Sequence, residues 1–240
     1  MGVKEFKTGE VVAIIPAKLT SVRLPKKNII DFFGQPLFFY SARVAELCSN
    51  IDDIYVTSES NEVLDLANQF GCQSILRPEK LSSSEITNLD VLIHAFNEIT
   101  QERGVVPEFV VLLQPTHPFR FPSELERGVE LLKSDPDADV LMTVLPDDRL
   151  RGEIKQGYFF PEYSVPRNKK NEPDMFFNTG SFYILRTKTT LSQGRMFTHN
   201  IIPLKLNNPE FEIDIDLESD LALAKCMMKI NKNKFSFFWN

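Results

Sequence analysis

The sequence predicts an α/β fold built on a mostly parallel sheet. Three observations carry this. Short β-branched runs alternate with helical patterns along the chain. The best runs, residues 11–15 and 109–113, are apolar throughout, as strands buried on both faces are. The chain's 240 residues, 42% of them apolar and 25% charged, suffice for one large core without disulfide or metal staples.

Taken in order, Val11 to Ile15 reads as a strand closed by Pro16, with a polar, basic stretch to Asn28 after it. Pro36 opens a helical pattern through Cys48, with Leu37, Tyr40, Val44 and Leu47 on one face. Residues 54–57 read as a strand, 61–70 as a helix stopped by Gly71, and 74–76 as a third strand ended before Pro78. Leu89, Leu92, Ile93 and Phe96 give residues 88–99 a helical period, and the strand 109–113 follows. Ser123 and Glu126 form a capping box that opens a helix to Leu132, with a strand over 140–145 after it. Residues 146–173 hold four prolines and many charges. They are too long for an ordinary connection and read as a functional excursion. Residues 176–185 and 201–206 read as strands and 216–229 as a final helix. Residues 1–10 and 231–240 read as tails on one domain spanning 11–230, the second loosely attached.

Lys and Arg number 27 and Asp and Glu 33, a net charge of −6, which argues against a nucleic-acid binder but not against a small anion in a basic pocket. No apolar run reaches the ~20 residues of a membrane helix, so no membrane partner is expected. Cys48, Cys72 and Cys226 have neither metal-ligand nor disulfide spacing, so the expected compartment is the cytoplasm.

In such folds ligands bind beyond the carboxyl ends of the strands, here residues 16–28, 58–60, 77–88 and 114–120. Neither GxGxxG nor GxxxxGK[ST] is present. Lys18, Arg23, Lys26 and Lys27 fall within ten residues after the first strand. They read as a triphosphate cradle or, equally, as a solvated charged loop. Asp214 and Asp216 point to one side of an extended segment and could hold Mg²⁺ with phosphate oxygens; the alternative is that Asp216 caps the final helix. Between Gln114 and Arg120 two prolines fix a loop with Gln114, Thr116 and Arg120 as polar tips, or else a surface turn. His117 reads as a turn or binding residue, since nothing in the sequence pairs it with a carboxylate.

Together these stretches resemble the cytidylyltransferases that activate nonulosonic acids: the acylneuraminate, legionaminate and pseudaminate enzymes. Ile15-Pro16-Ala17-Lys18 with Ser21 and Lys27-Asn28 resembles the family's opening loop, IPAR-x-GS and then KN. Gly34-Gln35-Pro36-Leu37 resembles G-x-PL, Tyr55 to Ser60 resembles VSTDS, and Leu76-Arg77-Pro78 resembles LRP. Gln114 to Arg120 resembles QPTSPLR, and Asp214-Ile215-Asp216 the DIDT metal segment. The matches keep register over about 200 residues.

The resemblance implies a three-layer α/β/α, Rossmann-like nucleotide-diphospho-sugar transferase fold. It implies transfer of CMP from CTP to the anomeric hydroxyl of a nonulosonic acid, with pyrophosphate leaving. Lys18, Lys27 and Asp214 would be catalytic. Ala17, Lys18, Ser21, Lys27, Asn28 and Arg77 would hold the nucleotide. Gln114, Arg151, Arg167 and Tyr183 would hold the sugar, and Asp214 and Asp216 would bind Mg²⁺. The excursion over 146–173 resembles the family's dimerisation segment, which implies a homodimer. Phe176 to Tyr183 resembles the pseudaminate pattern D-A-G-x-F-Y, whereas Gln114-Pro115-Thr116 has the sialate form, so the sugar stays open. Leu19-Thr20 departs from the glycine-containing pair and puts side chains where backbone would approach phosphate. Glu59 departs from aspartate and Lys18 from arginine. Two other readings stay open: a catalytically weak relative that binds nucleotide or sugar or serves as a dimeric partner, and a nucleotidyltransferase acting on a sugar 1-phosphate.

Overall fold

The computed structural model describes residues 6–147, 149, 151–162 and 175–239. The strands are β1 (Phe6–Pro16), β2 (Asp31–Phe32), β3 (Gln35–Pro36), β4 (Asp53–Ser58), β5 (Gln73–Leu76), β6 (Val106–Leu113), β7 (Val140–Pro146), β8 (Gly152–Lys155), β9 (Tyr158–Pro161), β10 (Phe176–Arg186) and β11 (Ile201–Lys205). The helices are α1 (Phe39–Glu46), α2 (Asn61–Gln69), α3 (Asn88–Arg103), α4 (Pro122–Ser134) and α5 (Glu218–Ile230). Seven strands form one sheet in the order β11-β7-β10-β6-β1-β4-β5. Only β10 runs antiparallel to its neighbours β6 and β7. The expected α/β class is therefore the observed one.

Alternation along the central strands divides the core between the two faces of the sheet. Val11, Ala13, Ile15, Val111 and Leu113 lie on one face with residues of α1, α2, α4 and α5. Val12, Ile14, Val110 and Leu112 lie on the other with Leu92, Ala95, Phe96 and Ile99 of α3. This gives the three layers.

Several local expectations change. β1 reaches back to Phe6, which pairs with Val106, so residues 6–10 belong to the sheet and not to a tail. Buried Glu10 anchors this extension by pairing with Lys7 and Arg103. α1 begins at Phe39, not Pro36. Pro36 belongs to a small ribbon in which Phe33 and Gly34 turn the chain at φ +56° and +83°. α4 begins at Pro122 and Ser123 makes no cap, because the proline already supplies the first helical φ and lacks a donor to be satisfied. A genuine capping box lies instead at Thr87 and Asp90, where α3 starts.

The C-terminal segment is not loosely attached. Phe235 and Phe238 are buried, Phe235 stacks on Phe121 at 5.0 Å, and Phe238 meets Tyr40 edge-on at 4.8 Å. Lys234 pairs with buried Glu210. Aromatic area removed from water, not the neighbouring Lys and Asn, decides where this segment sits. The excursion contains an exposed hairpin, β8–β9, with Ile154, Tyr158, Phe159 and Phe160 open to solvent. Residues 163–174, Arg167 among them, lie outside the described residues.

Candidate active site

The carboxyl ends of β1, β5 and β6 open on one cleft. It is lined by Pro16, Lys18, Lys27, Asn28, Arg77, Asn88 and Gln114, among others, and has a cavity volume of about 140 Å³. The fold thus brings together sequence-predicted residues from three separate loops.

The opening loop leaves β1 at Pro16. Ala17 is buried and its N–H donates to Thr57 O at 3.0 Å, which fixes the loop's start. Asn28 is buried too, and its side-chain amide donates to Lys18 O at 2.7 Å, closing the loop on itself. The four loop cations part company. Lys18 and Lys27 line the cleft. Arg23 reaches Asp216 at 2.6 Å. Lys26, at φ +53°, turns outward to Glu62 of α2 at 3.0 Å, so the four-cation cradle is a two-cation one. Ser21 stays on the loop and does not line the cleft. Leu19 packs partly buried against the core, so its side chain turns inward and does not line the cleft.

Lys27 ties this loop to the acidic segment. Its Nζ lies 2.5 Å from Asp216 Oδ1, and Arg23 takes Oδ2. Burial alone would raise the Asp216 pKa, but the Lys27 hydrogen bond and the Lys27 and Arg23 charges outweigh it and hold it below its usual value. Asp216 is not the cap of α5. Asp220 takes that work, accepting from the N–H groups of Asp216 (3.0 Å) and Leu217 (2.8 Å). Ile215 is fully buried between the two aspartates, so both neighbours face away from the core. Asp214 is half-exposed and lies 3.8 Å from His117 Nδ1, a carboxylate partner that the sequence did not reveal. Desolvation lowers the His117 pKa to about 4 against the raising charge of Asp214, so its ring is neutral near pH 7.

Behind Gln114 the structure overturns one expectation outright. Arg120 is not a polar tip but fully buried. It donates to Ser181 O (2.7 Å), Ser41 Oγ (3.0 Å) and Gln114 O (2.5 Å). Burial lowers its pKa to about 9, opposed by the Asp214 charge. The residue staples β10 and α1 to the Gln114 loop. Nothing local in Pro118-Phe119-Arg120 announces that, because two of its three partners lie 61 and 79 residues away.

Gln114 donates to Gly180 O at 3.2 Å and accepts from Asn88 at 3.1 Å. Asn88, which sequence reading passed over, lines both the cleft and a second, adjoining cavity of about 540 Å³. Tyr183, Met196 and Phe197 form the apolar wall of that cavity. Tyr183 OH accepts from Asn178 at 2.5 Å across a bulge in β10, where Gly180 adopts φ +73°. Arg151 does not reach either cavity. Its guanidinium pairs with Asp147 at the foot of the hairpin, and half its side chain is exposed.

The two aspartates are the only sequence-predicted metal ligands, and no cluster of three or more His, Cys, Asp or Glu suited to a metal occurs among the described residues. The donor set fits Mg²⁺ only with phosphate and water oxygens completing it, which is the habit of that ion. Lys27 and Arg23 hold Asp216, and Asp214 presents an open carboxylate.

A cytidylyltransferase family model matches residues 12–235. The CMP-N,N'-diacetyllegionaminic acid synthase of Legionella pneumophila is 29% identical over 233 residues, covering 92% of this chain and 97% of that protein. The pseudaminic acid cytidylyltransferase of Campylobacter jejuni is 26% identical over 226 residues, with the same coverages. The N-acylneuraminate cytidylyltransferase of Escherichia coli O18:K1:H7 is 24% identical over 96% of this chain and 55% of that protein. Among solved structures, CMP:2-keto-3-deoxy-manno-octonic acid synthetase complexed with CTP matches with a TM-score of 0.68 at 17% identity, covering 92% of this chain and 99% of that one. The 4-diphosphocytidyl-2C-methyl-D-erythritol synthase of Anaerococcus prevotii matches with the same TM-score at 11% identity, covering 92% and 97%. The chain belongs to the cytidylyltransferase family.

Proposed function

We propose that this cytidylyltransferase transfers CMP from CTP to the anomeric hydroxyl of a nonulosonic acid and releases pyrophosphate. The observation that carries the reading is the convergence of Lys18, Lys27, Asn28, Arg77 and Gln114 on one cleft at the carboxyl ends of the strands. Legionaminate, pseudaminate and acylneuraminate enzymes among the relatives support the sugar class.

The sugar hydroxyl oxygen forms a bond to the α-phosphorus as the bond to the β-phosphate oxygen breaks, and the hydroxyl proton leaves to solvent. Negative charge grows on the leaving pyrophosphate. Lys27 and Lys18 meet that charge as it grows, which lowers the barrier more than it tightens substrate binding. Arg77 and Asn28 hold the nucleotide. The adjoining cavity takes the sugar, with Asn88, which donates to Gln114 in the cleft, at its polar mouth and Tyr183, Met196 and Phe197 against the sugar's apolar substituents. Mg²⁺ held by Asp214 and Asp216 would neutralise phosphate charge when nucleotide is bound. For Asp216 to take part, Lys27 and Arg23 must turn from it toward the phosphates.

The exposed apolar hairpin β8–β9 suits a C₂ homodimer contact, since isologous pairs are the commonest soluble oligomer. Three unpaired thiols accord with a reducing cytoplasm. No helix among the described residues is long and apolar enough to cross a membrane. The test is pyrophosphate release with each nucleoside triphosphate against a panel of nonulosonic acids. Release with CTP and one such acid is expected; release with no acid, or only with a sugar 1-phosphate, overturns the reading. Light scattering that shows a monomer at micromolar concentration overturns the dimer.

A further inference from the structure

Glu59 directly follows β4, the strand between β1 and β5, and stands between the opening loop and the Arg77–Ser82 segment. Its carboxylate reaches both. Oε1 accepts from the N–H groups of Leu19 (2.9 Å) and Thr20 (3.2 Å) and from the Thr20 hydroxyl (3.3 Å). Oε2 accepts from the Ser82 hydroxyl (2.7 Å) and from Arg77 Nη2 (3.3 Å). Arg77 Nε closes the ring by donating to Ser82 Oγ at 3.0 Å. Arg77 is 3% exposed and lines the cleft, and its Nη1 is buried with no hydrogen-bond partner among the described residues. A buried guanidinium nitrogen left without a partner beside a ligand cleft wants an acceptor, and a nucleotide supplies several.

We propose that Glu59 is a positioning residue for nucleotide recognition, tying the opening loop to Arg77 so that Lys18 and Arg77 Nη1 face the nucleotide in one arrangement. The inference rests on the reading of this cleft as the CTP site. It also accounts for Leu19-Thr20. Their N–H groups are committed to Glu59, so the phosphates are met by side-chain cations and no glycine is needed there for close backbone approach. An aspartate at this position, shorter by roughly 1.5 Å, could not serve both segments from the same backbone.

Charge alone makes the opposite forecast. A carboxylate beside a triphosphate repels it, so its neutralisation would tighten CTP binding. Positioning predicts loosening. The experiment is calorimetric titration of CTP into the full chain and into Glu59→Gln, Glu59→Ala and Ser82→Ala variants, with steady-state kinetics alongside. The wild type binds CTP. Glu59→Ala, which cuts both ties, weakens binding by at least about tenfold, and Glu59→Gln, whose amide oxygen still serves the loop, weakens it less. The KM for the sugar stays unchanged, whereas a merely destabilising change would lower the active fraction and move neither KM. Glu59→Ala combined with Ser82→Ala is no worse than Glu59→Ala alone, because both act on one network. If Glu59→Ala fails to fold, Glu59→Gln and Ser82→Ala carry the test. Unchanged or tighter CTP binding in a folded Glu59→Gln variant overturns the role of Glu59. Absence of CTP binding by the wild type overturns the nucleotide reading itself.

Discussion

The wall proposed for the nucleotide and the wall proposed for the sugar are built by different physics. On the nucleotide side three cations have a partner of opposite sign before any ligand arrives, Lys27 and Arg23 with Asp216 and Arg77 with Glu59, while Lys18 reaches only the Ser82 carbonyl. On the sugar side the hydrogen bonds run mostly between neutral amides and a phenol, from Asn88 through Gln114 to Gly180 and in the Asn178–Tyr183 pair, and the cation that lines the cavity, Arg195, donates to the Thr189 carbonyl. The cavity there is also the larger of the two, about 540 Å³ against about 140 Å³. The contrast teaches that the phosphate half is preset by ion pairs that a ligand must exchange. The sugar half is shaped by backbone geometry and apolar surface, which suits substituents that differ between sugars.

The largest expected effect is at Lys27. Lys27→Ala lowers kcat by about 10²–10³-fold, more than it raises the KM for CTP, if the ammonium meets charge that grows as pyrophosphate leaves. A change confined to KM would make the nucleotide wall a ground-state binder and blunt the contrast. Asp214→Asn comes next. Turnover falls by about 10²-fold at saturating Mg²⁺ while the melting temperature barely moves, since Asp214 is half-exposed and holds no part of the core. Unchanged turnover in that variant would remove Asp214 from the chemistry.

Gly180→Ala sharpens the sugar side. Gly180 sits at φ +73°, and an added Cβ would lie 3.2 and 3.3 Å from buried ring atoms of His117. Strain of about 1–3 kcal/mol follows, read as a lower urea midpoint with an unchanged slope. It also raises the sugar KM, because the Gly180 carbonyl holds Gln114. Equal damage to CTP binding would mean that the two walls are not independent. Gln114→Ala is milder: about a tenfold rise in sugar KM with CTP affinity kept. An equal loss for both substrates would again merge the walls.

The smallest effect is one of pH. The folded chain holds the His117 pKa near 4, below the ordinary value of 6.5. Between those values the unfolded chain binds the proton and the native one does not. This contribution to stability is therefore full above pH 6.5 and is lost as pH falls toward 4. Urea midpoints at pH 7 and pH 5 should differ less for His117→Asn than for the wild type. The same difference in both would show that other groups set the acid sensitivity.

The fold class was legible because strands buried on both faces and helices buried on one write different periods into the chain. The site segments were legible because their polar residues follow such strands directly, at Lys18 and Gln114, or stand alternately about a buried residue, at Asp214 and Asp216. Partners were not. Arg120 looks like a polar loop tip until Ser41 and Ser181 close over it, and Glu59 looks like a surface carboxylate until three loops meet on it. The C-terminal phenylalanines look like a ragged tail until Phe121 and Tyr40 receive them. The sequence by itself determined which segments become the strands of the main sheet, where the chemistry-bearing loops begin, and which charges those loops carry. Periodicity and local steric preference act over a few residues and need no distant partner. Only the tertiary structure decided which cation meets which carboxylate, which arginine is buried, and which end of the chain joins the core. Those outcomes depend on desolvation and on contacts between residues tens of positions apart, and no local pattern encodes them.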